Sequence, residues 1–315
     1  MWAESFPFWS KYWYHVMIFV LSCVVFNLLL NRSKAKNTEK TTKRGEKFED
    51  PADESEEEIL NNDNEEEPAL PKNLEHVPYK YDKPTEQDLI DRARKFYELT
   101  NARRTLRFFS PDPVPKEVIR EIIKAAGSMN GGEENIKKLN SRFKNNVVGT
   151  SPSGAHTEPW TFVAISSLKA KSQIREIVER EEEINYRKRM GKKWTTDLQP
   201  LKTDWVKEYL TTAPYLILVF KQIYGILPNG KRKVHYYHEM SVSIACGILI
   251  TAIQFAGLVT LTSTPLNCGP AIRNLLERPA NEKLVLLLPV GYPATNSTVP
   301  ALRRKPLSEI LVEID

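Results

Sequence analysis

Arginine is concentrated at one point of the chain. "ARRTLRFF" places Arg103, Arg104 and Arg107 within five residues, with Thr105 and Leu106 between them. Guanidinium groups grip phosphate oxygens two at a time, so this run suits a phosphate clamp. It suits a solvated helix end equally well, because cations are favoured at a helix C-terminus. In "EREEEINYRKRMGKKW", Glu182 and Tyr186 stand four apart and share one helical face. Lys207 follows in "DWVKEYL", read as a separate helical piece. A carboxylate, a phenol and an ammonium together would hold both charges of an amino-acid zwitterion, although an ordinary charged surface helix has the same composition.

Three further stretches carry ligand-type chemistry. "TSTPLNCGP", Thr262 to Pro270, sets hydroxyls of Thr262, Ser263 and Thr264 at a strand end before Pro and Gly turns. Arg304, in "LRRKPL", offers another phosphate contact. "TSPSGAHTEPWTF", residues 150–162, packs Pro152, Ser153, Gly154 and Ala155 into a tight turn. Such a turn can aim several backbone N–H groups at one point, which suits an anion or a polar ring edge. It is also a plain connection into a strand. Taken together, these stretches imply one anionic cofactor contacted from distant parts of the chain.

The elements that must position them follow from periodicity. "TEQDLIDRARKFYELTNARR" reads as a helix with Thr85 as N-cap and Leu89, Ala93, Phe96 and Tyr97 on one face. A second helix runs from Pro115, burying Val118, Ile119, Ile122, Ile123 and Ala126. "WTFVAI" is a strand, followed by a long charged helix across residues 168–190. "YLILVF", "LVTLTST" and "KLVLLLPVGYP" are three more strands. "SVSIACGILITAIQFAG" is apolar nearly all round and reads as a fully buried helix, not a second membrane span, since it carries Ser241, Ser243 and Gln254. Helices around a few strands, without regular βα alternation, make the fold class α+β.

The chain ends and the composition set the wider frame. The sequence has 315 residues, with a formal net charge of +5. Val16 to Leu30 is an apolar run edged by Trp13 and Tyr14, read as an uncleaved N-terminal transmembrane helix within an anchor at 1–31. Basic residues after the run place the body in the cytosol, at the plasma membrane or a cytoplasmic vesicle membrane. Residues 32–80 are basic, then acidic, and read as a disordered tether to a domain at 81–315. Sequons at Asn31 and Asn296 matter only in the opposite orientation. Cys23, Cys246 and Cys268 form neither a metal set nor a disulfide framework. No Rossmann fingerprint, P-loop, serine elbow, metal-ligand spacing or nucleic-acid pattern is present.

The ordered set "RRTLR", "PSGAHTEPW", "EEEINY", "HYYHEMSVSIACG" and "STPLNCGP" resembles the iodotyrosine deiodinase family of the nitroreductase superfamily, over residues from about 80 to 315. The resemblance implies a nitroreductase-like fold with a mixed sheet flanked by helices, and FMN as cofactor, held by Arg103, Arg104, Thr105, Leu106, Arg107, Ser153 and Arg304. Thr262, Ser263 and Thr264 would line the isoalloxazine, with Thr264 as the catalytic hydroxyl at N5, favouring one-electron steps. Ala155 would offer its N–H to the substrate phenolate, and Glu182, Tyr186 and Lys207 would grip the zwitterion and close a lid. It implies reductive deiodination of mono- and diiodotyrosine for iodide salvage, in an intertwined homodimer, with NADPH as ultimate reductant through a reductase partner. A general nitro- or quinone reductase, or an inactive flavin-binding scaffold, stays open beside it. The departure is an Asn/Gly-rich insertion at 128–149, beside the proposed flavin loop.

Overall fold

The computed structural model of the chain describes residues 68, 70, 72–79, 81–127, 151–227 and 229–314. The expected anchor, most of the tether and the 128–149 insertion lie outside the described residues.

Thr85 starts the first helix, α1 (Glu86–Asn101), by accepting a hydrogen bond from the Asp88 amide, with Glu86 and Asp88 favourably placed in its first turn. α2 (Lys116–Gly127) follows, burying Ile119, Ile122 and Ala126 at helical spacing. A 3₁₀ turn (Gly154–His156) then leads into β1 (Trp160–Ile165). Ser167 caps α3 (Leu168–Ile184), which widens into a π turn (Asn185–Arg189), where the sequence had read one helix to residue 190. α4 (Lys192–Leu198) and the single turn α5 (Tyr209–Thr212) precede β2 (Tyr215–Gln222). A hairpin β3 (Tyr224–Ile226) and β4 (Arg232–Val234) leads to α6 (His238–Phe255). β5 (Val259–Thr260), α7 (Gly269–Leu275) and β6 (Glu282–Gly291) complete the regular elements.

The sheet runs β1-β2-β6-β5 with antiparallel ladders, and a parallel bridge from Thr105 to Thr260 makes it mixed. Alternation along β2 sends Ile217 and Val219 to a layer with α2 and α6, and Leu216, Leu218 and Phe220 to a layer with α3, α5 and α7. Each such fully buried side chain contributes about 1.5–3 kcal/mol. Both sheet faces are covered, so β2 and β6 read as continuous apolar runs.

The fully buried helix expected from sequence needs correction here. None of α1 is buried: among the described residues Leu89, Phe96 and Tyr97 are exposed, and α1 packs on the flank of α6. Nor is α6 buried all round. Val242, Ala245, Cys246, Leu249 and Ile253 face the core, whereas Met240, Ile244 and Phe255 are exposed. α6 is long and apolar enough to cross a membrane, but its inner face packs on α2 and the sheet. Phe96 and Leu99 of α1 and Ile244, Ile248 and Phe255 of α6 line an apolar groove of about 860 Å³.

Candidate active site

Arg103 to Arg107 run beside β5, fixed by the Leu106 amide donating to the Thr260 carbonyl at 3.3 Å. Leu106 is buried, so only its backbone can face a ligand. The arginines divide into two groups. Arg103 lies near Arg104 and Arg304, and burial with these two like charges lowers its proton affinity below the ordinary arginine value. Arg104 donates to the Asn101 and Arg103 carbonyls at 2.6 and 3.0 Å. Among the described residues no carboxylate pairs with Arg103, Arg104 or Arg304. Crowded guanidinium groups without a counter-charge form a ready anion site.

Arg107 belongs to the second group. It lines a cavity of about 220 Å³ together with Glu182, Tyr186, Lys207 and the Thr262–Thr264 run. α3 carries Glu182 inward at 9% exposure, and the π turn that follows carries Tyr186. Lys207 does not lie in a helix as read from sequence. It sits in an irregular segment before α5, 6% exposed, its amide donating to Glu179 Oε1 at 2.6 Å. Its ammonium donates to the Asp204 carbonyl, approaches Thr203 Oγ1 at 3.4 Å and Glu182 Oε2 at 4.0 Å, and stands 5.7 Å over the Tyr186 ring. Burial lowers the Lys207 proton affinity, with the Glu182 and Asp204 carboxylates opposing that shift. Burial likewise raises the Tyr186 pKa, against a hydrogen bond from Thr203.

The hydroxyl run is held by the backbone. Ser263 and Leu287 exchange two amide–carbonyl bonds at 3.1 and 2.8 Å. Ser263 also meets the buried Tyr209 phenol, whose pKa is raised chiefly by burial. The Thr262 and Thr264 hydroxyls have no partner within the described chain. Two unused hydroxyls, Arg107 and the unpaired guanidinium cluster fit a cofactor with an anionic tail and a polar ring, which is the character of FMN.

Ser153 and Ala155 lie apart from that cavity in this chain. Their loop packs on the start of α6, with the Gly154 amide donating to Ser241 Oγ at 3.4 Å. Ala155, His156 and Glu158 all adopt left-handed backbone at φ of 46°, 53° and 49°. This is strained for residues with a Cβ and clusters at functional segments. The Ala155 N–H has no acceptor within the described chain. Burial pushes the Cys246 and Cys268 thiols up to about 11 and about 12, so both are core residues rather than nucleophiles.

Several residues in or beside the cavity wall escaped the sequence reading. Trp205 meets the Tyr186 ring edge-on at 5.9 Å, and Tyr209, Trp194 and Met190 join the cavity wall. The aromatic two places before Lys207 was the available signal for Trp205. Asn185, buried beside Glu182, gave none.

Comparison with known proteins identifies the family. The nitroreductase family model matches residues 100–292. Iodotyrosine deiodinase of Danio rerio is 51% identical over 302 residues, 92% of this chain and 94% of that protein. Iodotyrosine deiodinase 1 of Homo sapiens is 54% identical over 242 residues, 77% of this chain and 76% of that protein. A crystal structure of oxidized iodotyrosine deiodinase bound to FMN and 3-iodo-L-tyrosine superposes with a TM-score of 0.54 at 28% identity, covering 70% of this chain and 98% of that one. A sequence with these relatives, folded around this cavity, belongs to the nitroreductase family, in its iodotyrosine deiodinase branch.

Proposed function

We propose that the chain catalyses FMN-dependent reductive deiodination of mono- and diiodotyrosine to tyrosine and iodide. The observation that carries this is the single cavity uniting Glu182, Tyr186 and Lys207 with Arg107 and the Thr262–Thr264 hydroxyls. Arg103, Arg104 and Arg304 would hold the FMN phosphate. Thr105, Arg107, Ser153 and the Leu106 backbone would add contacts, and Thr262, Ser263 and Thr264 would meet the ring. FMN, when bound, supplies the two electrons that, with one proton, replace iodine by hydrogen and release iodide.

The chain's own part is binding and orientation. Glu182 accepts the substrate ammonium, and Lys207 pairs with its carboxylate. A carboxylate arriving beside the buried Lys207 ammonium favours its charged form. Tyr186, backed by Trp205, packs over the bound amino acid and excludes water. Holding the zwitterion fixes where the iodinated ring lies, so remote binding energy orients the reacting carbon. The free Ala155 N–H, fixed by left-handed backbone, would donate to the phenolate oxygen.

Two copies complete this reading. The exposed faces of α1 and α6 and their shared groove call for a second copy, and the Ser153–Ala155 loop sits at the α6 end of that surface. An intertwined homodimer would therefore let this loop serve a shared site. The N-terminal anchor over 1–31, the tether over 32–80, a cytosolic catalytic domain and an NADPH-dependent reductase partner belong to the same proposal. The test is iodide release from diiodotyrosine by the purified full chain with dithionite as reductant. Iodide formed in proportion to tyrosine supports the reading. Its absence from FMN-loaded protein rejects it in favour of an inactive scaffold.

A further inference from the structure

We propose that Asn185 is a positioning residue of the substrate clamp, fixing the Glu182 carboxylate and tying it to the loop that follows the Thr262–Thr264 hydroxyls. This inference rests on the deiodinase reading above. Asn185 is 1% exposed, and a buried amide must find partners on both its ends. Its Nδ2 donates to Glu182 Oε1 at 3.3 Å and to the Leu266 carbonyl at 3.5 Å. Its Oδ1 accepts from Arg189 Nη1 at 2.8 Å and from Asn267 Nδ2 at 3.4 Å. One side chain therefore joins α3, the π turn and the loop before α7.

The consequences for the clamp are directional. Glu182 Oε1 is engaged by Asn185 while Oε2 faces Lys207 at 4.0 Å, so the plane of the carboxylate is set by two neighbours. The Asn185 carbonyl also accepts from the Met190 amide at 2.7 Å, the wide bond that opens the π turn carrying Tyr186. Single π turns recur at functional sites because they redirect side chains without ending a helix. On the far side, Asn267 is left-handed at φ 62°, and its amide reaches back to Asn185. Arg189, itself bound to Glu181 Oε2 at 3.0 Å, polarises the Asn185 amide and strengthens its donation to Glu182. The carboxylate that receives the substrate ammonium is thus held in register with the hydroxyls that face the ring.

The test compares two ligands on FMN-loaded full-length protein by flavin fluorescence. Diiodotyrosine carries the zwitterion; 2-iodophenol presents an iodinated ring without it. Asn185→Ala is expected to raise the Kd for diiodotyrosine about tenfold, the effect of one lost hydrogen bond to a charged group, and to leave 2-iodophenol within about twofold. Asn185→Asp keeps the shape and both acceptor contacts but cannot donate to Glu182 when ionised. It is expected to show the same selective loss, and it decides the matter if the alanine variant fails to hold FMN. Unchanged diiodotyrosine affinity in both variants overturns the inference while the deiodinase reading stands. Equal weakening of both ligands also overturns it, since Asn185 would then support only the fold. Wild-type protein that holds FMN but does not respond to diiodotyrosine rejects the deiodinase reading and this inference with it.

Discussion

Glu182 and Lys207 are both buried and approach to 4.0 Å, so neither charge is isolated and neither is fully neutralised by the other. Removing one partner of such a pair is damaging because the other is left buried alone. Glu182→Gln is expected to lower kcat/KM for diiodotyrosine about 10- to 100-fold, the loss of a charge-assisted contact. Reduction of a nitroaromatic lacking an amino-acid group should change less than about twofold. Equal losses on both substrates would mean that Glu182 serves the fold, not recognition. Lys207 adds a pH dependence with a definite sign. Burial lowers its proton affinity below the ordinary 10.5, so its charge is lost earlier as pH rises. Diiodotyrosine binding should therefore weaken on the alkaline side below that value, and Lys207→Arg should move this limb upward; a pH series of Kd checks it. Spacing alone put Glu182 and Tyr186 on one face, and the family resemblance, not type or spacing, singled out Lys207 beside them. Asn185 was not legible, because a polar residue in a charged helix has many uses, and Trp205 had only its place two before Lys207 as a signal.

At the scale of elements, the loop before β1 has almost no room. A Cβ on Gly154 would lie 2.5 Å from the Tyr236 carbonyl oxygen, a backbone atom that cannot step aside. Gly154→Ala should lower stability by about 1–3 kcal/mol, as overpacking does, measured by urea unfolding at equilibrium. An unchanged midpoint would show that the loop shifts freely. β1, β2 and β6 were readable because each is a bounded apolar run. The β3–β4 hairpin was not read, although Asn229-Gly230 is a strong turn signal and Gly230 adopts φ 80°. Its strands have three residues each, too short for alternation to show. Lys207 was placed in a helix because "DWVKEYL" has helical composition. Its amide donating to Glu179 across the fold, and its ammonium to the nearby Asp204 carbonyl, instead hold it in an irregular segment.

Over the whole molecule, the apolar face of α1 and the outer face of α6, a helix the sequence assigns to full burial, stay exposed among the described residues. Their apolar composition is that of a covered surface, and the described residues of one chain leave it open. A homodimer would explain both this and the separation of Ser153 and Ala155 from the cavity. Ile244→Arg should then yield a monomer by sedimentation and release FMN, whereas a monomeric wild type would contradict the dimer. The central claim is that one cavity recognises an iodinated amino acid beside bound flavin. It is tested most directly by titrating the FMN fluorescence of the purified full chain with diiodotyrosine. The account predicts saturable quenching that Glu182→Gln and Lys207→Ala each shift to about tenfold or more higher concentration. Bound FMN whose fluorescence is indifferent to diiodotyrosine would contradict it.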